Sequence, residues 1–164
     1  MTDTGPRVSN IEDISEVHYT LYGMSTLPVA ICVVFITLGL WHFYWALGGT
    51  AGKSAAIPEI NGKPTFKPSN TATAAVGLAL LLCAALVAVT AELLSFALPR
   101  WLLSWLCYAL AFGLLARAIG EFHMVGFFKR VRGTRFARLD TAVYSPLCLA
   151  LSIGVFFVGF GNAV

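Results

Sequence analysis

Three residues near the end of one apolar run carry the chain's most concentrated chemistry: Arg117, Glu121 and His123, in Ala116-Arg117-Ala118-Ile119-Gly120-Glu121-Phe122-His123. A guanidinium and a carboxylate four residues apart lie one helical turn from each other and can pair within the helix, although Arg-before-Glu is the weaker order. Asp140, at the entry to the next apolar run, is a second candidate partner for Arg117. His42, at similar depth in the first run, and Tyr144, one turn beyond Asp140, complete a set of six. Together His42, Arg117, Glu121, His123, Asp140 and Tyr144 make a candidate polar pocket. Glu121 or His42 would move protons there, and Arg117 would hold an anionic headgroup or a developing charge. A hydrogen-bonded plug that fixes helix register uses the same residues, and both readings stay open.

What positions these groups is a membrane bundle. Four apolar stretches run over about 26–49, 71–98, 101–122 and 142–162, each at or above the ~20 residues that cross a bilayer as a helix. Hydrophobic residues make up 58% of the 164, charged residues 12%, and mean hydropathy is +0.79, which excludes an ordinary soluble domain. The expected fold is all-α: a polytopic four-transmembrane-helix bundle over 26–164, preceded by an arm over 1–25. Within the arm, Ser9 and Glu12 form a capping box. Ile11, Ile14, His18, Leu21 and Tyr22 then repeat at helical spacing, predicting a short amphipathic helix over about 10–22. Its other face is acidic, so anionic lipid does not hold it; it packs on its own bundle or docks a membrane-protein partner.

Depth sharpens the reading of Arg117. It lies about 16 residues, roughly 24 Å, from the outer boundary at Trp101. Snorkelling to the headgroups competes with pairing, but Cα–Cβ bonds tilt toward the helix N-terminus, away from the nearer interface. The stripe Ala109, Gly113, Arg117, Glu121 also predicts a face of small residues turned to a neighbouring helix. His42 shares such a stripe with Gly39, Ala46 and Gly49. In the second run Thr71, Ala75, Ala79 and Cys83 predict the packing face of a central helix. Glu92 lies nearer the outer end. Each half of the chain carries a helix, a basic loop and a returning helix, a weak sign of a repeated hairpin.

Basic residues set the orientation. Lys53, Lys63 and Lys67 fall in the first loop and Lys129, Arg130, Arg132, Arg135 and Arg138 in the third, against Arg7 and Arg100 on the other side. The positive-inside rule then places loops one and three in the cytoplasm and both termini outside, in an inner membrane. Trp41, Tyr44 and Trp45, and Trp101, Trp105 and Tyr108, mark the two interfaces. Acidic residues replace a basic n-region at the start, so no cleavable signal peptide is expected. Ile60-Asn61-Gly62-Lys63, in a Gly- and Pro-rich loop over 50–69, predicts a small β-hairpin.

Several chemistries are set aside. Gly52-Lys53-Ser54 imitates a phosphate-binding loop, but Leu47 stands where that motif needs glycine, and neither the strand nor the helix it requires flanks it. The four cysteines, one per apolar run, have neither disulfide nor metal-ligand spacing. Two histidines in different helices raise haem b, yet His123 lies about five residues, roughly 8 Å, closer to the cytoplasm than His42. No cofactor or metal is expected. The basic third loop is explained by topology, so no nucleic-acid partner is expected either.

The segments Trp41-His42-Phe43-Tyr44-Trp45-Ala46-Leu47-Gly48-Gly49, Arg117-Ala118-Ile119-Gly120-Glu121, Gly126-Phe127-Phe128-Lys129-Arg130, Asp140-Thr141 and Tyr144-Ser145-Pro146-Leu147 resemble a family of small bacterial four-helix membrane proteins, known mainly as a domain of unknown function. The resemblance covers about 27–160 and implies architecture rather than an activity. Two functions follow as expectations. The first is a non-enzymatic protein that binds another component, as an accessory subunit of a membrane complex or a neutralising partner. The second is a small enzyme or carrier for a lipophilic molecule such as an isoprenoid, quinone or sterol-like compound. A small channel would need oligomerisation and ranks below both.

Overall fold

The computed structural model describes residues 11–60, 63–120, 125–130 and 133–163, with side chains described at 26–53, 55–58, 65–120, 125–130 and 133–163. Helix α1 spans Ile11–Ala46, α2 Lys53–Ala56, α3 Asn70–Thr90, α4 Arg100–Ile119, α5 Arg135–Leu139 and α6 Ser145–Ala163. A π-helical turn, Asp140–Tyr144, joins α5 to α6 without a break. The segments Thr26–Ala46, Asn70–Thr90, Arg100–Ile119 and Arg135–Ala163 are each long and apolar enough to cross a membrane. The molecule is a four-helix bundle of the multi-pass kind.

Two helical hairpins build it: α1 packs chiefly on α3, and α4 on α6, with lighter contacts between the pairs. The shared core is Ile31, Phe35, Val87, Cys107, Leu151 and Val155 with small residues between them. Outward-facing positions keep large apolar side chains exposed, among them Leu40, Leu82, Phe112 and Phe157. Water would penalise that surface; hydrocarbon does not. Few polar groups among the described residues cross the core, and most of them have a partner. Ser152 Oγ donates to Ala111 O at 2.7 Å, and Asn162 Nδ2 donates to Ser104 Oγ at 2.9 Å. Such bonds contribute about 0.6 kcal/mol each in membrane helices.

The face each helix buries differs from expectation in two places. In α3, Thr71, Ala75 and Ala79 are exposed; Thr73, Gly77, Ala84, Val87 and Ala88 are buried instead. In α4, Ala109 and Gly113 are exposed, and Leu103, Ser104, Cys107, Ala111 and Ala118 are buried. Small residues surround both helices, so several stripes qualified by composition. The close approach of Gly39 to Gly77 selects one. A Cβ on either would stand 3.0 Å from the other's carbonyl oxygen, so the two backbones touch where no side chain intervenes.

Helix ends follow local chemistry. Ser69 caps α3 through its hydroxyl, 3.1 Å from Ala72 N. The second apolar run, expected to reach residue 98, stops being helical at Thr90. Glu92 N bonds Val89 O and Leu93 N bonds Ala88 O, a Schellman arrangement with Glu92 at φ +58°. Glycine is the usual occupant there, because a Cβ in the left-handed region costs about 1–2 kcal/mol. Glu92 also pairs with Arg100 at 2.8 Å, but both side chains are more than two-thirds exposed and the pair contributes little. Glu92→Gly should therefore raise stability by about 0.5–1 kcal/mol in thermal unfolding in detergent. No rise, or a fall, would mean that the ion pair outweighs the strain.

At the other end, α1 runs unbroken from Ile11 through the expected junction between arm and span. The predicted hairpin is present: Glu59 pairs with Pro64 and Ile60 with Lys63, antiparallel, and the expected turn residues 61 and 62 lie outside the described residues. Thr65 N donates to Pro58 O at 3.0 Å and closes its base.

Candidate functional site

Asp140 begins the π turn, and that turn coincides with a proline. Pro146 has no N–H to offer and its ring crowds the preceding turn, so an α-helix cannot pass through it unchanged. Here the backbone widens: Ser145 N bonds Asp140 O five residues back. Thr134 caps the short helix in front, accepting from Ala137 N at 3.0 Å. The result fastens Asp140 in the interior, with none of its surface exposed.

An isolated buried carboxylate would cost several kcal/mol, so its partners decide whether it can exist there. Arg117 Nη2 donates to Oδ1 at 2.9 Å. Lys129 Nζ donates to Oδ2 at 2.9 Å, and Gly126 N to the same oxygen at 2.7 Å. The ammonium of Lys129 is itself only 2% exposed in its side chain. Its other donors reach Gly126 O at 2.9 Å and Thr141 Oγ1 at 2.6 Å, which accounts for all three. Thr141 Oγ1 donates its own hydrogen bond to Ala137 O at 3.1 Å. The cluster carries one anion and two cations, and the second cation, Arg117, is 37% exposed in its side chain. The net positive charge thus lies on the member that reaches the surface.

Two glycines make the loop that delivers Lys129. Gly120 ends α4 at φ +87° and Gly126 sits at φ +90°, both left-handed. A Cβ on Gly120 would collide with Val125 O, and one on Gly126 with Ile119 O and Gly120 Cα. The backbones therefore meet directly. Phe127 N bonds Ala118 O at 3.0 Å and closes the loop against α4. That closure aims Gly126 N and Lys129 Nζ at Asp140.

The expected set of six divides among the described residues. Arg117 pairs with Asp140, the second of the two partners expected for it, although it does so from an α4 whose small-residue stripe faces outward. Tyr144 lies one turn along from Asp140, but its hydroxyl turns to Ala55 O at 3.3 Å, tying α2 to the fourth span. His42 belongs to the other hairpin. Its Nδ1 is 2.8 Å from Leu38 O; a carbonyl only accepts, so Nδ1 carries the proton and donates it. The ring also stands edge-on to Trp45, centroids 5.1 Å apart. His42 lines a pocket of about 280 Å³ with Trp45, Lys53, Ile57, Phe66 and Val76, among others. Glu121 and His123 lie outside the described residues. Arg117 Nη1 and Ser145 Oγ are buried without a partner among the described residues.

The residue that sequence reasoning missed is Lys129. Counted as one of the basic charges that set topology, it is instead the buried counter-ion of Asp140. The signal available was its place directly after Phe127-Phe128, an apolar pair unlike the basic residues that follow it. No metal-binding group of three or more His, Cys, Asp or Glu occurs among the described residues.

Comparison with known proteins adds a family and no activity. No curated protein and no solved structure matches the chain. Residues 35–155 match the family model described as "Protein of unknown function (DUF3995)". That range takes in every member of the Asp140 cluster and most of all four spans, and the chain belongs to this family.

Proposed function

We propose that this protein is a multi-pass component of a bacterial inner membrane that acts by binding another membrane component, as an accessory subunit or a neutralising partner. The observation that carries the reading is the saturation of Asp140. Both oxygens are engaged, the group has no exposed surface, and its ammonium partner has spent every donor. A carboxylate so held is suited to fastening a loop onto a helix, not to passing protons to a substrate. The cluster is then a latch, and the working surface lies elsewhere.

The N-terminal arm is the proposed docking element. Helix α1 extends fifteen residues ahead of the span that begins at Thr26, about 22 Å of additional helix. Its sequence repeats apolar residues on one side. The orientation follows from charge. With Lys129 taken out of the count, Lys53, Lys63, Lys67, Arg130, Arg132, Arg135 and Arg138 still outnumber Arg7 and Arg100 on the opposite side, which favours cytoplasmic loops one and three.

Purification from native membranes in mild detergent, followed by mass spectrometry, tests the reading. A protein partner at fixed stoichiometry is expected, lost when residues 1–22 are deleted. An isoprenoid, quinone or sterol-like molecule retained without any protein would overturn it in favour of an enzyme or carrier.

A further inference from the structure

From the pocket beside His42 we infer a second site, a binding site for a single-chain anionic amphiphile of the long-chain carboxylate class. This inference is independent of the partner-binding reading, because the pocket lies on the α1–α3 hairpin and shares no residue with the Asp140 latch.

The pocket is built before any ligand arrives. Trp45 Nε1 donates to Ala51 O at 2.7 Å, which holds the loop after α1 against the helix it leaves. Tyr144 braces α2 from the fourth span through Ala55 O, and the hairpin closes the next stretch through Pro58 and Thr65. These bonds are spent on the walls, so the cavity persists rather than collapsing.

Its chemistry is asymmetric. The walls are mostly apolar, with Trp45, Ile57, Phe66 and Val76, and three polar side chains border them: His42, Lys53 and Thr73, whose hydroxyl is already given to Ser69 O. The Nδ1 proton of His42 is committed to Leu38 O, which leaves Nε2 as the ring's other polar atom. Lys53 has no carboxylate partner among the described side chains. A half-buried lysine beside an apolar cavity calls for an anion on an apolar stem.

Size selects one chain over two. About 280 Å³ is at the low end for small-molecule pockets and accepts a head with the start of one tail. Phe66 and Val76, which line it, are also about half exposed on the outer apolar surface of the bundle. The remaining tail would pass over them into hydrocarbon. The headgroup and paired chains of a diacyl phospholipid do not fit that volume.

The test uses the full-length protein in phosphatidylcholine nanodiscs, with Trp41, Trp101 and Trp105 replaced by Phe so that Trp45 alone reports. Brominated stearate, titrated in, should quench Trp45 fluorescence saturably. Lys53→Gln should weaken the apparent affinity about tenfold, as expected for loss of a charge-assisted bond. Ala72→Phe, which fills the cavity from α3, should abolish saturation if Lys53→Gln proves unstable. Quenching that never saturates, or that is the same in both variants, would overturn the site. So would equal saturable quenching by brominated phosphatidylglycerol in the disc, since a diacyl lipid should not enter.

Discussion

Asp140→Ala should reduce the unfolding free energy by about 3–5 kcal/mol, the largest effect of any single side-chain truncation in the bundle. The loss comes less from the missing attraction than from what remains. Lys129, 3% exposed, is left in the interior without a counter-ion, with only Gly126 O and Thr141 Oγ1 for company, and Gly126 N loses its acceptor. Arg117 fares better, because its partly exposed side chain can turn outward. Arg117→Ala should therefore cost less, about 1–3 kcal/mol, since Asp140 Oδ1 loses its partner while Oδ2 retains Lys129 and Gly126 N. Reversible unfolding in mixed SDS and detergent micelles would measure all of these. If Asp140→Ala and the wild type unfold at the same SDS fraction, the buried ion pair is not what holds the third loop.

The same site offers a sharper comparison. Replacing a buried ion pair with apolar residues of similar volume is often neutral, whereas removing one partner is not. Asp140→Leu with Lys129→Met should recover most of the stability that Asp140→Ala loses. If that double variant is stable and still captures the membrane partner, the cluster is a latch. If it is stable and captures nothing, the charges themselves take part in binding, and the latch reading fails while the fold survives.

Gly126→Ala should cost about 2–4 kcal/mol by a different route. The left-handed backbone accounts for about 1–2 kcal/mol, and the collision of the new Cβ with Ile119 and Gly120 for a similar amount. Neither can be relieved locally, because the atoms struck are backbone. The loop must open, and opening it withdraws Gly126 N and Lys129 from Asp140 and breaks the Phe127 N bond to Ala118 O. Gly113→Ala is the control. That glycine sits within α4, the span on which the loop closes, with open space where a Cβ would go, so its substitution should not lower stability. Equal losses at both positions would show that glycine content, rather than loop closure, matters.

These two effects mark the boundary of what could be read without coordinates. Four spans were legible because a bilayer removes ambiguity: with no water to satisfy backbone groups, a run of twenty apolar residues has one stable form. The hairpin at Ile60 and Lys63 was legible because Asn-Gly encodes its own turn. That Arg117 must have a carboxylate partner was legible from depth and charge, since a lone buried charge is costly, but the sequence left Glu121 and Asp140 both open.

Other features depended on the fold. Every stripe on α3 and α4 contains small residues, so the buried face was chosen by where Gly39 meets Gly77, a contact between residues thirty-eight positions apart. Lys129 looked like its basic neighbours because a lysine's burial is decided by what surrounds its ammonium. Those surroundings exist only once Gly120 and Gly126 close on each other and carry it to Asp140. His42 and Arg117 share a depth, which sequence could estimate, but their separation onto different hairpins is a lateral fact. Hydropathy along a chain measures distance through the membrane, and only packing between helices determines position within its plane.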